Sequence, residues 1–380
     1  MSHLDAQIQA FIERRHEDDR QASENRFNEL ALELFADQYE RNSAYRRFCR
    51  SRRAEPGALR SWTEIPAVPL RAFKELTLTC DPPEDAAAVF MTSGSTDARR
   101  RGRNHHPHLR LYDASLRANF KQCFLPDREN LRLLVLNPGR QQQPNSSLAY
   151  FLSRLVDFYG ARGSDFFLDA SGLALDALTT ELRRAEETAE PVPLIGTSFA
   201  YVHLLDAFEA AELAFRLPEG SRLLDTGGFK GRSREVSSEE LLGLFEERLG
   251  IPRPFAVNYY GMTEISTQYY DRSLEAVLSG RPAEPRYKTV PHWARIRVID
   301  PETRQPVAPG ERGLIVHYDP ANRGSCLAVM AEDVGHTVAP ETPTSDDPGG
   351  FVLIGRAEGA EARGCSITLD ELLAANAGAR

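Results

Sequence analysis

The chain has 380 residues, 41% of them hydrophobic and 27% charged, which is typical of a globular protein large enough for two or more structural lobes. Its 55 acidic residues outnumber its 46 basic residues, and the net charge of −9 gives no support to a role in binding nucleic acid. Because the sequence shows neither a secretory signal pattern nor an apolar run of membrane-spanning length, we expect a cytoplasmic protein.

The hydrophobic pattern divides the chain into four segments. Residues 1–60 carry apolar positions at helical spacing among dense charges, which predicts a helical lead-in with one packed face. In residues 61–290, short apolar runs that end in Gly, Ser, Thr or Asn alternate with helical stretches, and this alternation indicates an α/β core. The pattern in residues 291–355 indicates strands separated by Gly and Pro, so we expect a smaller β-rich lobe there and a short C-terminal segment at 356–380.

A hydroxyl-rich turn follows the first apolar strand of the core. It consists of Thr92, Ser93, Gly94, Ser95 and Thr96, and a run of arginines begins at position 99. Backbone N–H groups and hydroxyls in such a turn can bind phosphate oxygens while arginine neutralises their charge, so the segment is a candidate phosphate loop. An ordinary polar turn beside a solvated basic face is the alternative.

A glycine pair follows a later strand of the core. Gly227 and Gly228 permit the backbone to approach a planar ligand closely, and Lys230 can reach a phosphate group from the same turn. A simple turn without a ligand is the alternative.

A third segment combines an aromatic ring, a turn and a carboxylate in Tyr260, Gly261, Thr263 and Glu264. The tyrosine can stack on a base, and Glu264 can hold a magnesium ion because hard cations prefer carboxylate oxygens. A carboxylate at a helix N-terminus and a tyrosine in the core are the alternatives.

In this order, the three segments resemble the adenylate-forming superfamily of acyl-CoA synthetases, adenylation domains and firefly-type luciferases. The resemblance implies an α/β large domain with a β-rich sublobe that binds ATP and Mg²⁺, with the phosphate loop at residues 92–96 and the glycine pair at the adenine. It further implies that Asp333, otherwise an acidic loop residue, binds the ribose hydroxyls. Arg356, in the Gly-Arg pair that follows the strand FVLI, matches an arginine at the hinge that contacts the nucleotide.

A closer resemblance covers nearly the whole chain. The segments FNELALELFADQYERNSAYRRFC, IPAVPLRAFKE, NSSLAYF, TGGFK, NYYGMTE and RGCS resemble the acyl-protein synthetase family of the bacterial fatty-acid reductase complex, also called the long-chain-fatty-acid luciferin-component ligases. This resemblance implies that the chain activates a carboxylic acid, a fatty acid in that family, as acyl-AMP. The acyl group then passes to a cysteine, here Cys365, as a thioester for delivery to an acyl-CoA-reductase-like partner. A direct acyl-CoA ligase and a non-catalytic partner subunit stay open as alternatives.

The local sequence around Cys365 suits a reactive thiol. Residues 368–371 have the spacing of a capping box, which predicts that a short helix begins there. A thiol just ahead of a helix N-terminus and near Arg363 lies in a positive field that favours thiolate. A packed thiol is the alternative for Cys365, and it is our expectation for the other four cysteines.

The sequence departs from the superfamily in two places. The phosphate loop continues into Asp97, where a glycine is usual, and arginines replace the usual downstream lysine. Adenylating enzymes also carry a C-terminal lid with a catalytic lysine, but no lysine follows Lys288 here. We therefore expect Lys230, Lys74 or an arginine to supply positive charge near the α-phosphate.

Two further segments carry weaker expectations. The segment Ser146–Phe151 can shape an acyl pocket or pack as part of the core. His105, His106 and His108 form a local cluster, and we expect solvated histidines of a basic loop there in preference to a metal site.

Overall fold

The computed structural model of the chain describes residues 2–14, 20–92, 101–227, 236–283, 285–339 and 349–377, with residues 359–365 described by their backbone alone. Its helices are α1 (His3–Glu13), α2 (Arg20–Arg41), α3 (Ser43–Ser51), α4 (Ala72–Glu75), α5 (Arg110–Cys123), α6 (Ser147–Tyr159), α7 (Leu175–Thr188), α8 (Ser198–Ala210), α9 (Ser238–Leu249), α10 (Ser273–Leu278) and α11 (Gly359–Asn376). Its strands are β1 (Val68–Pro69), β2 (Ala88–Met91), β3 (Arg103–His106), β4 (Leu134–Leu136), β5 (Asp165–Phe166), β6 (Leu168–Asp169), β7 (Gly172–Leu173), β8 (Pro193–Thr197), β9 (Arg222–Thr226), β10 (Ala256–Tyr260), β11 (Tyr269–Tyr270), β12 (Lys288–Thr289), β13 (Arg295–Ile299), β14 (Gly313–Tyr318), β15 (Ala328–Val338) and β16 (Gly350–Arg356).

The chain forms two compact units. The first comprises Met1–Ala118, Gly261–Gln268 and Thr289–Arg380, and the second comprises Asn119–Tyr260 and Tyr269–Lys288. The expected helical lead-in, β-rich lobe and C-terminal segment all lie in the first unit, and the expected α/β core is divided between the two. The segment Gly261–Gln268 connects β10 to β11 of the second unit but belongs to the first.

The second unit is built on a six-stranded sheet in the order β11, β10, β9, β8, β4, β5. Every neighbouring pair is parallel except β10 and β11. All five residues of β9 are buried, as expected for a strand in the middle of a parallel sheet. Helices α7, α8 and α9 contribute Leu182, Tyr201 and Phe245 to the core beside it. This architecture confirms the predicted α/β class.

The first unit contains a second six-stranded sheet, in the order β12, β16, β15, β14, β13, with β1 added parallel to β15. Strands β13 to β16 pair antiparallel in sequence order, as the hairpin-like pattern predicted. The register of β15 against β16 shifts between Val334 and Gly335, one residue beyond Asp333. A Cβ atom at Gly335 would lie 2.2 Å from the carbonyl oxygen of Val352, so glycine is required for this approach of the two strands.

Three helices, α1 to α3, lie within the first 60 residues. On α2, Phe27 and Phe35 are at most 1% exposed, and Ser2 caps α1 in a capping box with Asp5. Arg323 joins both helices to the turn after β14, with ion pairs of 2.8 Å to Asp5 and 2.7 Å to Asp37. None of the described helices has the length and apolar character that a membrane crossing requires.

Candidate functional site

Glu264 lies in the first unit with only 2% of its surface exposed, in a segment that forms no helix. Burial raises its pKa to about 7, although its own backbone N–H and the charges of Lys74 and Arg356 act in the opposite direction. Its Oε1 atom has no hydrogen-bond partner among the described residues. A buried acceptor without a partner is costly, and it suits a divalent cation, which prefers carboxylate oxygen. The residues present therefore fit the predicted Mg²⁺.

Thr92, the first residue of the predicted phosphate loop, pairs with Gly102. The N–H of Gly102 donates to Thr92 Oγ1 at 2.9 Å, and the N–H of Thr92 donates to the carbonyl oxygen of Gly102 at 3.0 Å. A Cβ atom at Gly102 would lie 3.4 Å from Cγ of Lys74, so this lysine lies beside the base of the loop. The remaining loop residues are outside the described part of the chain and stay a prediction: Ser93, Gly94, Ser95 and Thr96.

Asp333 and Arg356 are register partners on β15 and β16. Arg356 Nε lies 3.1 Å from Asp333 Oδ1, and its Nη1 lies 3.5 Å from Glu332 Oε2. Arg71 Nε donates to the other oxygen of Glu332 at 2.5 Å. Asp333 therefore lies in a strand and not in a loop, and Gly355 and Arg356 are the last residues of β16 instead of following it. Pairing with β16 extends the sheet over both positions.

In the second unit, Gly227 and Tyr260 lie at the carboxyl ends of the neighbouring parallel strands β9 and β10. Gly227 has φ of +82°, a value that glycine adopts readily. Its carbonyl oxygen accepts a hydrogen bond from the Ser198 hydroxyl at 2.8 Å. Ligands of α/β sheets bind outside such strand ends, so the position suits the predicted contacts. Gly228 and Lys230 lie outside the described residues, and their roles stay predictions.

A buried polar network at the same strand ends was missed by the sequence analysis. Asp225 accepts hydrogen bonds from the Ser198 hydroxyl and from Asn258 Nδ2, both at 2.8 Å, and burial raises its pKa to about 6. Lys288 Nζ donates to the carbonyl oxygen of Asn258 at 2.7 Å, and burial lowers the lysine's pKa to about 8. The available signal was a polar residue directly after an apolar pair in each of two strands, Asp225 before Thr-Gly-Gly and Asn258 before Tyr-Tyr-Gly.

The predicted start of the C-terminal helix is wrong. Helix α11 begins at Gly359 with Glu358 as its N-cap residue, so Thr368 lies inside the helix and forms no capping box. The backbone of Cys365 is accordingly within the helix, beyond the first turn where the helix dipole favours a thiolate. The alanine, glutamate and arginine residues between Gly359 and Gly364 are strong helix formers, and the helix includes both of these glycines. The side chain of Cys365 is outside the description, and its role stays a prediction.

The described part of α11 packs against other elements of the first unit. Leu372 is fully buried, and Asn376 Oδ1 accepts a hydrogen bond from Arg47 Nε on α3 at 2.6 Å. Glu371 pairs with Arg304 at 2.8 Å and also with Arg52. Packing and ion pairs therefore hold the second half of this helix against α3.

The other four cysteines are packed thiols, as expected. Cys49, Cys80, Cys123 and Cys326 are all free and buried. Burial raises the pKa of Cys49, Cys80 and Cys123 to about 12. Since the thiolate is the nucleophile, these residues are poor candidates for acyl transfer.

The segment Ser146–Phe151 forms the start of α6. Ser146 is the N-cap residue and accepts a hydrogen bond from the N–H of Ala149 at 3.2 Å. Phe151 is 1% exposed and its ring centroid lies 5.0 Å from that of Tyr259. Core packing therefore accounts for Phe151, and an acyl pocket formed by the segment stays a prediction.

The expectation of solvated histidines is wrong. His105 and His106 are 6% and 2% exposed because they lie on β3, which pairs with β2. The ring of His106 packs on Phe90 at 4.9 Å, and burial lowers its pKa to about 3. His108 Nε2 lies 3.2 Å from Asp5 Oδ2 on α1. Adjacent residues of a strand point to opposite faces, so both faces of β3 are covered at these rings, where the sequence indicated a basic loop.

Comparison with known proteins gives consistent matches over most of the chain. A family model described as "Acyl-protein synthetase, LuxE" matches residues 10–374. The long-chain-fatty-acid–luciferin-component ligase of Aliivibrio fischeri is 23% identical over 357 residues, which cover 92% of this chain and 89% of that protein. The ligase of the same name from Vibrio harveyi is 21% identical over 344 residues, covering 89% and 85%.

Solved structures share the fold at low sequence identity. An open conformation of 2-hydroxyisobutyryl-CoA ligase, in complex with 2-HIB-AMP and CoA, matches with a TM-score of 0.62 at 14% identity over 87% of this chain and 75% of that chain. The same ligase in its thioesterification state gives a TM-score of 0.66 at 15% identity over 90% and 70%. The family model, which spans nearly all of the sequence, shows that the chain belongs to the LuxE acyl-protein synthetase family and is a ligase that activates an acid.

Proposed function

We propose that the enzyme converts a fatty acid and ATP to acyl-AMP, then takes the acyl group onto its own Cys365 as a thioester for delivery to an acyl-CoA-reductase-like partner. The observation that carries the proposal is the buried Glu264 carboxylate, whose Oε1 has no partner among the described residues and whose pKa burial raises to about 7 against the opposing charges of Lys74 and Arg356. The names of the relatives from Aliivibrio fischeri and Vibrio harveyi support a long-chain fatty acid as the substrate.

In the first half-reaction, a carboxylate oxygen of the acid attacks the α-phosphorus of ATP, and the bond from that phosphorus to pyrophosphate breaks. Negative charge grows on the departing pyrophosphate, so fixed positive charge near it lowers the barrier. Glu264 would hold Mg²⁺, which supplies such charge when bound. Lys74, beside the base of the loop at residues 92–96, adds a second cation from the chain itself. Lys230 is the other candidate for this role.

Each unit carries residues that we propose for nucleotide binding. In the first unit, the Asp333 carboxylate accepts hydrogen bonds from the ribose hydroxyls, and Arg356 contacts the nucleotide from the neighbouring strand. In the second unit, Gly227 and Gly228 let the backbone approach the adenine, and Tyr260 offers a ring face for stacking. Support comes from the strand-end positions of Gly227 and Tyr260.

In the second half-reaction, the thiolate of Cys365 attacks the acyl carbon of acyl-AMP. The bond from that carbon to the phosphate oxygen breaks, AMP leaves with the electron pair, and a thioester forms. The proton lost by the thiol passes to solvent or to a base. Cys365 is preferred over Cys49, Cys80, Cys123 and Cys326 because those four thiols are buried.

The test is the intact mass of the protein after incubation with ATP, Mg²⁺ and a panel of fatty and aryl acids. Wild type is compared with Cys365→Ala and with the neighbouring control Ser366→Ala, and pyrophosphate exchange is measured in parallel. We expect an acyl-sized, hydroxylamine-labile mass gain in wild type and in Ser366→Ala. Cys365→Ala should lose the mass gain and keep the exchange.

Other outcomes identify the alternatives. Exchange without a mass gain, together with release of acyl-CoA when CoA is added, would establish a direct acyl-CoA ligase. Absence of exchange with every acid would indicate a partner subunit without catalysis. A mass gain that persists in Cys365→Ala would show that another residue receives the acyl group.

A further inference from the structure

Side chains from distant parts of the first unit hold the backbone on both sides of Glu264. Asn104 Nδ2 donates to the carbonyl oxygen of Thr263 at 3.0 Å, and Asn322 Nδ2 donates to the carbonyl oxygen of Glu264 at 2.8 Å. The two asparagines also bond each other, because Asn104 Nδ2 lies 3.0 Å from Asn322 Oδ1. Both residues are 0% exposed, so solvent does not compete for these bonds.

The two carbonyl groups belong to the peptide groups that meet at the Cα atom of Glu264. The carbonyl of Thr263 is part of the peptide group before that atom, and the carbonyl of Glu264 is part of the one after it. Because each peptide group is planar, holding both carbonyls fixes both planes. These planes set the direction of the Cα–Cβ bond, so the asparagines orient the Glu264 carboxylate without touching it.

Asp319 holds the residues that follow. Its Oδ2 accepts hydrogen bonds from the N–H groups of Ser266 at 2.7 Å and Thr267 at 2.8 Å, and its Oδ1 accepts one from the Thr267 hydroxyl at 2.8 Å. Asp319 and Asn322 lie in the same turn, between β14 and β15. One buried turn therefore fixes the segment from Glu264 to Thr267.

Asn104 adds a connection to the candidate phosphate loop. It lies on β3, two residues after Gly102, whose N–H and carbonyl bond Thr92 at the base of that loop. The segment from Gly102 to Asn104 thus contacts both Thr92 and the backbone at Glu264. Asn104 Oδ1 is buried without a partner among the described residues. An unsatisfied amide oxygen is unfavourable for stability, and it offsets part of what the two hydrogen bonds donated by Nδ2 contribute.

We propose that Asn104 and Asn322 are positioning residues that hold the Glu264 carboxylate in place for binding of magnesium and ATP. The inference rests on the proposed function, because it takes Glu264 as the magnesium ligand. Residues that orient a metal ligand change metal affinity or activity by about 10–100-fold when they are replaced. Asn322 also donates to Ser325 Oγ and to the carbonyl of Cys326, so Asn104 gives the cleaner test.

The test measures the affinity of the full chain for ATP by titration calorimetry, once with magnesium chloride and once with EDTA. In Asn104→Asp, an oxygen replaces the amide donor and faces the carbonyl of Thr263, and Asn104→Ser is a smaller, uncharged second variant. We expect the gain in affinity that magnesium confers to shrink by about tenfold or more in both variants, with the affinity in EDTA little changed. A purely structural role would lower the folded fraction and leave the ratio of the two affinities as in wild type.

Two further variants make the result specific. Tyr45→Phe removes a buried hydroxyl that donates to the carbonyl of Pro66 at 2.8 Å in the same unit, and it should keep the full magnesium gain. Glu264→Gln should abolish the gain. If it does, and the folded Asn104 variants keep the gain, the positioning role is overturned and the proposed function survives. If Glu264→Gln itself keeps the gain, the assignment of Glu264 as magnesium ligand fails, and the positioning inference fails with it.

Discussion

Arg356 Nε lies 3.1 Å from Asp333 Oδ1, and the two residues are register partners on adjacent antiparallel strands. The arginine side chain is 59% exposed, and an ion pair of this kind contributes only about 0–1 kcal/mol to stability. The pair therefore matters more for where it holds the carboxylate than for folding. The shift of register after Asp333 adds to this, since such irregularities change the direction of side chains at strand edges.

Asp333→Asn is expected to raise the KM for ATP in pyrophosphate exchange by about 10–100-fold, because a hydrogen bond to a charged acceptor contributes about 1.5–3 kcal/mol. The melting temperature should change little. Glu332→Gln is the matched control, because Glu332 lies on the same strand as Asp333. It weakens the ion pairs of Glu332 with Arg71 and Arg356 but leaves Asp333 intact. Equal KM values for the two variants would contradict ribose binding by Asp333.

Glu264→Gln is expected to stabilise the protein more at about pH 8 than at about pH 5. The pKa of Glu264 rises from its ordinary 4.5 to about 7, chiefly through burial. Between these values the folded protein holds a proton that the unfolded chain has released. The stability of wild type therefore falls as the pH rises through this window, by about 3 kcal/mol in total.

Glutamine has no proton to lose, so the difference in melting temperature between Glu264→Gln and wild type should grow with pH. Thermal unfolding in EDTA measures it without interference from divalent cations. A difference that is the same at both ends of the window would show that Glu264 is not buried as a protonated acid.

Asp5 gives the opposite dependence on pH. Burial alone would raise its pKa, but the hydrogen bond and charge of Arg323, with bonds from Ser2, lower it from 3.8 to about 2. The folded state therefore favours the carboxylate. The resulting stabilisation is present above about pH 4 and is lost as the pH falls through about 2.

Asp5→Asn should accordingly lower the free energy of unfolding at neutral pH by about 2 kcal/mol, and by progressively less under acid conditions. Urea unfolding at a series of pH values measures this. Glu13→Gln, an exposed change on the same helix, should cost less than about 0.5 kcal/mol at every pH. An Asp5→Asn effect that does not depend on pH would rule out the ion pair as its source.

Local patterns predicted the fold class because they act over short distances. The apolar run that ends in Asp225 and Thr226 became the buried strand β9, and the glycine after it adopts a positive φ. The surroundings of Glu264 were beyond such reasoning. Asn104 and Asn322 are separated from Glu264 by 160 and 58 positions respectively in the numbering, and their polar side chains gave no local signal. Tertiary contacts alone bring them to one segment.

The misplaced helix start has a similar cause. Thr368 and Glu371 have capping-box spacing, but the same spacing places two residues on one face inside a helix. Thr368 is 3% exposed, and Glu371 pairs with Arg304 and Arg52 from elsewhere in the unit. The spacing of Thr368 and Glu371 thus reflects a packed and ion-paired face inside the helix. The local sequence alone does not distinguish such a face from an N-terminal cap.

Leu372→Ala tests how α11 is held. Leu372 is fully buried where α11 meets the first unit, and removal of a buried leucine side chain costs about 2–5 kcal/mol. Ile367, on the same helix, is 52% exposed, so Ile367→Ala should change the free energy of unfolding by less than about 0.5 kcal/mol. Hydrogen exchange of the α11 amides, followed by mass spectrometry, should accelerate strongly in Leu372→Ala and stay near wild type in Ile367→Ala.

Since residue 372 is two helical turns after Cys365, loosened packing should change the rate of thioester formation while pyrophosphate exchange continues. If both variants exchange hydrogen at the same rate, the burial of Leu372 does not dock the helix, and the ion pairs of Glu371 must hold it.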